Sequence, residues 1–203
     1  MNRRNVIRTA LIFSAGASLL PSCLQKDTTD LSLTNIAITG SEEKMMAALG
    51  EAIIPTTNFI GATGVQASQF TLMMVNDCYP PDEQKIFTVG MAGLNDACKK
   101  VNDKNFMDCS PEQRKSFLIT LEKEAKEYNT KRDEKEKTAK ENAKMNPDYI
   151  GMPSHYYTMM KQLTLLGYFS SEIGSKQALR FLPIPGKYDG AYPYKKGDKA
   201  WAI

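Results

Sequence analysis

Residues 154–182 read SHYYTMMKQLTLLGYFSSEIGSKQALRFL, and their spacing decides what kind of fold this is. Tyr157, Met160, Leu163, Leu166 and Phe169 recur at helical intervals, with Tyr156, Met159 and Leu165 beside them. A surface helix buries a single apolar stripe, and this wrap is too broad for one. The pattern predicts a helix that is central to a bundle or buried from both sides, one of them by a partner. Gly167 and Gly174 weaken it at two points where close approach of another element is expected.

Upstream, Ser110-Pro111-Glu112-Gln113 combines an N-cap serine, proline at the first helical position and glutamine three residues on, the clearest helix start in the chain. That helix begins with Phe117, Leu118 and Leu121, then loses its apolar face. In residues 122–144, 15 of 23 residues are charged. The pairs Glu122/Lys126, Glu127/Lys131, Asp133/Lys137 and Glu136/Lys140 are acid-first at four-residue spacing, worth about 0.2–0.5 kcal/mol each. The segment is expected to be a solvated helical hairpin or a projecting charged arm.

Three further helices are expected before it. Ser41 with Glu42 and Glu43 suits a first turn, followed by Met45, Met46, Leu49 and Ile53 at helical spacing and ended by Pro55. Residues 56–64 form a loop, and Val65–Tyr79 presents Phe70, Met73, Met74 and Val75 on one face. Pro80-Pro81-Asp82-Glu83 starts a helix to about Val101, with Ile86, Phe87, Val89 and Leu94 inward. No alternating run is long enough to favour a sheet. The fold class is therefore all-α, an irregular bundle of about five to six helices over residues 41–182, with the charged arm at 122–144 and an extended tail at 183–203.

The first residues, MNRRNVIRTALIFSAGASLLPSC, read as a leader. Arg3 and Arg4 resemble a twin-arginine export signal, and the Leu20–Cys23 stretch resembles a lipobox in which Cys23 is lipidated. Residues 1–22 are expected to be removed and 23–40, polar and poor in large side chains, to tether an exported lipoprotein to the bacterial envelope. The full chain carries 26 basic and 23 acidic residues; without the three leader arginines the charges balance. A neutral domain has no field for gathering nucleic acid, and that class is excluded.

Catalytic chemistry finds little support. His155 is the sole histidine, and neither zinc-ligand spacings nor a Cys-x-x-Cys-His haem attachment occurs. No dinucleotide-binding glycine motif is present. His155, after Pro153-Ser154, suits a surface or capping role. Cys78, Cys98 and Cys109 leave two possibilities, one disulfide with a free thiol or three buried thiols, and spacing does not select a pairing.

The closing residues 182–203, LPIPGKYDGAYPYKKGDKAWAI, contain the only Trp, three Tyr, three Pro and three Gly. Proline stiffens and glycine turns such a segment, so it is expected to be extended and ordered by what it lies against. Its aromatic residues are of the types that dominate interfaces, and its lysines suit acidic partners. The expected docking residues are Tyr168, Phe169, Tyr188, Tyr192, Tyr194, Lys195, Lys196 and Trp201. A tail folded back over its own bundle is the alternative.

ALGEAIIPTTNFIGATGV (48–65), NDCYPPDEQKIF (76–87), SPEQR (110–114) and above all residues 163–201 resemble the gluconate 2-dehydrogenase subunit 3 family. The resemblance implies a non-catalytic helical subunit that holds no cofactor itself. It implies a large FAD-dependent partner of the glucose-methanol-choline class, often with a separate cytochrome c carrying haem c. In that setting the small subunit carries the export signal, and a flavoprotein without its own travels with it. The charged arm is the departure from the family pattern.

Overall fold

The computed structural model describes residues 29–142, 151–184, 186 and 189–202. The expected leader with Arg3, Arg4 and Cys23, the end of the charged arm and Tyr188 lie outside the described residues. Six α-helices follow in order: α1 (Gly40–Ile53), α2 (Ala67–Cys78), α3 (Pro81–Asn102), α4 (Pro111–Asn142), α5 (Tyr156–Ser170) and α6 (Glu172–Ala178). A 3-10 turn, Phe106–Asp108, separates α3 from α4. Among the described residues there is no strand, only one isolated bridge. The all-α bundle stands.

The broad apolar wrap of residues 156–170 has the consequence its spacing implies, since α5 packs against each of the other five helices. Tyr157, Met159, Met160, Leu163, Thr164, Gly167 and Tyr168 are its buried positions. At Gly167 a Cβ would lie 2.7 Å from the Phe70 ring, so the missing side chain lets α2 sit against α5. Buried Thr71 and Thr164 donate their hydroxyls to the carbonyls of Ala67 and Met160, one turn back, which satisfies both groups within apolar surroundings. Met46, Leu49, Leu72, Phe87, Met91, Leu94 and Phe106 complete the core, each fully buried side chain worth roughly 1.5–3 kcal/mol.

The expected helical segment 154–182 is two helices. Ser171 breaks it by donating its hydroxyl to the Tyr168 carbonyl at 2.7 Å while accepting from the Gly174 amide at 3.0 Å, capping α6. A Cβ on Gly174 would stand 2.0 Å from that same carbonyl. The turn therefore requires glycine. Leu166 and Phe169, part of the same broad apolar pattern, face solvent. Met73 on α2 and Val89 on α3 do so too; the inward faces carry Leu72 and Val75 on α2, and Phe87, Met91 and Leu94 on α3.

Two segments read as loosely attached are fastened to the bundle. Residues 29–39 belong to the fold instead of the tether: Ile36 and Ile38 are buried, and Leu31 and Leu33 pack on the core. The Asn76 carboxamide oxygen accepts from the amides of Thr34, Asn35 and Ile36 at 3.0, 2.8 and 3.2 Å, holding this stretch to the end of α2. The first helix is then capped by Thr39, not Ser41, through a reciprocal pair with Glu42.

The charged arm is the second such segment. It is a single helix, α4, started by the expected Ser110/Gln113 capping pair. Beyond buried Ala125 it is pinned along residues 154–158, where Asn129 accepts from the His155 amide and donates to Thr158, and Arg132 donates to Ser154. Of the four acid-first pairs expected, Glu136–Lys140 closes at 3.0 Å among the described residues, and Glu122 turns to Lys161 on α5.

Candidate docking surface

After α6 the chain cannot stay helical, and the tail is ordered around one side chain, Arg180. The Arg180 amide donates to the Ala200 carbonyl at 2.7 Å, and the Ala202 amide donates to the Arg180 carbonyl at 3.0 Å. These two bonds make the isolated parallel bridge between Arg180 and Trp201. The guanidinium lies 4.8 Å from the Trp201 ring centroid and 5.2 Å from that of Tyr192, and donates to the Tyr192 hydroxyl at 2.8 Å. Tyr192 and Trp201 meet edge to face at 5.7 Å, and Asp198 stands 4.0 Å from the cation. An aromatic face attracts a cation, and a planar guanidinium stacks on rings as an ammonium does not.

The rest of the tail follows from its turn chemistry. The Lys195 amide donates to the Asp198 carboxylate at 2.9 Å, the Asp198 amide returns to the Lys195 carbonyl, and Gly197 takes φ +97° between them. A side chain there would be strained, so glycine is required. Lys199 reaches back to donate to the Gln177 carbonyl and lies 5.3 Å from the centre of the Phe59 ring. The tail thus folds back on its own bundle, as the alternative sequence reading holds.

Folding back does not bury the apolar side chains. Ile184 is 80% and Tyr194 75% exposed, and Phe181, Leu182, Tyr192 and Trp201 are each exposed as well. Lys195 and Lys196 are exposed beside them. Single exposed apolar residues are ordinary, but a run gathered around one clamp marks a contact surface. Of the expected docking residues, Tyr192 and Trp201 meet on Arg180 and Lys195 is tied in through Asp198, while Tyr194 and Lys196 are exposed next to them in the chain. Tyr168 is not among them: it is buried, and its hydroxyl donates to the Ile60 carbonyl at 2.9 Å. It is a core residue, and Phe169, stacked edge-on against it at 5.1 Å, is exposed on α5.

Sequence reasoning missed Arg180, the organising residue, along with Phe181 and Ile184. A cation three residues before a Pro-Ile-Pro stretch offers no spacing signal. Only the pairing across twenty residues reveals it.

A second concave region lies between α3, α4 and the approach to α5. It encloses about 720 Å³ and is lined by Ile86, Val89, Gly90, Tyr128, His155 and Tyr156 among others. Gly90 makes room for the Tyr156 ring, against which a Cβ would clash. His155 caps α5: its Nδ1 accepts from the Tyr157 amide at 3.3 Å, while Nε2 lies 4.0 Å from Glu124. Its ring centroid is 4.4 Å from that of Tyr156 and 5.4 Å from that of Tyr128. Burial pushes the His155 pKa down, against the opposing pull of Glu124. Burial also raises the Tyr156 hydroxyl to about 12, and Asp82 and Lys85 add charge to the lining.

Among the described residues, no group of three or more His, Cys, Asp or Glu side chains could hold a metal ion, and no helix is long and apolar enough to cross a membrane. Exposed aromatic and aliphatic residues occur on several helices, and the tail adds Phe181, Leu182, Ile184, Tyr192, Tyr194 and Trp201 to them. The chain belongs to the gluconate 2-dehydrogenase subunit 3 family, whose model matches residues 40–186. No curated protein and no solved structure matches the sequence. Membership makes it an accessory subunit associated with a dehydrogenase complex. The match takes in the bundle, Arg180, Phe181, Leu182 and Ile184, and ends before Tyr192, Tyr194 and Trp201.

Proposed function

We propose that this chain is the small subunit of a membrane-associated, FAD-dependent dehydrogenase acting on a sugar or sugar acid, and that it stabilises, exports and anchors the flavoprotein. The observation that carries the reading is the surface organised by Arg180. Its aromatic and aliphatic residues are exposed in the lone chain and suit the apolar centre of an interface, with Lys195 and Lys196 at the rim. Family membership supports association with a dehydrogenase complex, and in this reading the partner is a large subunit of the glucose-methanol-choline type in which the flavin resides. In some complexes of this kind a cytochrome c takes the electrons.

Export and anchoring draw on the leader. The twin-arginine route carries folded proteins, and so suits a flavoprotein that travels already loaded and bound to this subunit. Lipidation at Cys23 then holds the complex at the membrane.

Co-expression with the flavoprotein subunit tests the reading. Deleting residues 186–203 is expected to leave helical circular dichroism nearly intact while the flavoprotein no longer co-purifies. Replacing Arg3 and Arg4 by Lys is expected to strand flavin activity in the cytoplasm, and Cys23→Ser to release it from the membrane fraction. A flavoprotein that is exported, active and soluble without this chain overturns the proposal.

A second reading has the groove in its favour, because about 720 Å³ falls within the range of small-ligand sites. It makes the chain a free-standing envelope lipoprotein that binds a small molecule. That reading requires the chain to purify alone.

A further inference from the structure

Docking leaves three thiols without a role. Cys78 ends α2 and is exposed, whereas Cys98 and Cys109 are buried with their sulfur atoms 3.6 Å apart. Contacts that do not involve the thiols bring the latter pair together. Asp103, at φ +55°, turns the chain after α3. The Phe106 amide then donates to the Asn95 side chain at 3.0 Å. From the start of α4, Arg114 donates to the carbonyls of Phe106 and Met107 at 3.0 and 2.8 Å. The loop is thereby pinned on both sides, and Cys109 returns to Cys98.

We propose that Cys98 and Cys109 are joined by a disulfide in the mature protein and that Cys78 is the thiol left over. A bond of about 2.05 Å needs the two sulfurs to close by roughly 1.5 Å, within reach of side-chain rotation. Metal binding does not compete for the pair, since no third ligand lies near enough among the described residues. The inference rests on the export half of the function proposed above, because a structural disulfide persists in an oxidising compartment.

In the reaction each thiol gives up its proton, the two sulfurs together give up two electrons, and the S–S bond forms. The electrons reduce another disulfide, that of an envelope thiol oxidant or of oxidised glutathione, to two thiols. Burial raises the Cys98 pKa and suppresses its thiolate in the folded chain. The bond therefore forms as α3 and α4 come together and is shielded once they have.

The test has two arms on the full chain. In the first, protein from the envelope fraction is alkylated without reduction and digested with trypsin, which cuts at Lys99, Lys100 and Lys104 and so separates the two cysteines. A linked pair of peptides containing Cys98 and Cys109, with Cys78 alkylated, is expected. In the second, reduced chain is refolded in a glutathione redox buffer, which tests the pairing without any compartment. The same linked pair is expected, and reduction should lower Tm by about 5–10 °C, with no such loss in the Cys98→Ala/Cys109→Ala variant. Linkage through Cys78, or Cys98 and Cys109 alkylated in both arms, overturns the pairing. Linkage in glutathione but free thiols in cell-derived protein overturns the bond in the mature protein together with the export reading it rests on, although the two cysteines are then the pair that closes.

Discussion

The seam between α2 and α5 and the clamp around Arg180 use similar apolar side chains under opposite conditions. In the seam, Gly167 admits Phe70, and Leu72, Val75, Met160 and Leu163 lose their solvent contact. In the clamp, one cation between two rings orders a segment whose tyrosines, tryptophan and isoleucine stay wet. The first region is held by burial, which is worth most where packing is close. The second is held by hydrogen bonds and stacking, and its apolar area is still to be covered. Stability should therefore reside in the seam and recognition in the clamp.

The largest effect expected from that division is at the core. Met160→Ala should cost about 2–5 kcal/mol in denaturant unfolding, while Tyr194→Ala should stay within about 0.5 kcal/mol. Equal losses would erase the comparison. Gly174→Ala is next, because its Cβ would press on the Tyr168 carbonyl, a backbone atom with little freedom to yield. A cost of about 1–3 kcal/mol is expected, with a lower Tm. The same substitution should loosen the tail, since α6 leads directly into Arg180.

A smaller change separates the two regions more cleanly. Arg180→Ala removes two cation–π contacts and a hydrogen bond but nothing from the core. At about 0.5–1 kcal/mol for each exposed cation–π contact, tryptic cleavage after Lys195 or Lys196 should quicken roughly tenfold. The unfolding midpoint of the bundle should hardly move.

The smallest effect is a pH dependence placed in the bundle and absent from the tail. His155 accepts a hydrogen bond at Nδ1 and is depressed in pKa by burial, so the fold favours its neutral form. A histidine depressed in this way stabilises the fold above its unfolded value of about 6.5, and that contribution is lost as pH falls through the folded value. Tm should decline as pH drops below about 6.5, by no more than the roughly 1 kcal/mol of an N-cap from this source. His155→Asn keeps a capping acceptor that does not titrate, and should flatten this part of the profile. An unchanged acid slope in that variant would assign the pH dependence to other groups.

What could be read in the sequence was whatever depends on neighbours along the chain. Ser110, Pro111 and Gln113 announce α4 because a cap is a local device, and the breadth of the 156–170 pattern announces a central helix. Faces were less legible. Met73 and Val89 are as apolar as the residues that are buried, and which stripe turns inward is set by where α5 lies. Leu31, Leu33, Ile36 and Ile38 follow neither helical nor strict strand spacing, so their packing shows only with Asn76 in place. Tyr168 was read as adhesive for its type, yet its hydroxyl serves the Ile60 carbonyl more than a hundred residues earlier.

The Asn76 carboxamide has a mechanical consequence. A pull applied to the chain ahead of residue 29 meets the Thr29 hydroxyl on Glu43, in the first turn of α1, and next the three amides that Asn76 holds. Load is thus delivered to the corner between α2 and α3, where Gln84 also donates to the carbonyls of Val75 and Asn76. Tension is spread into the middle of the bundle before it can peel helices from one end.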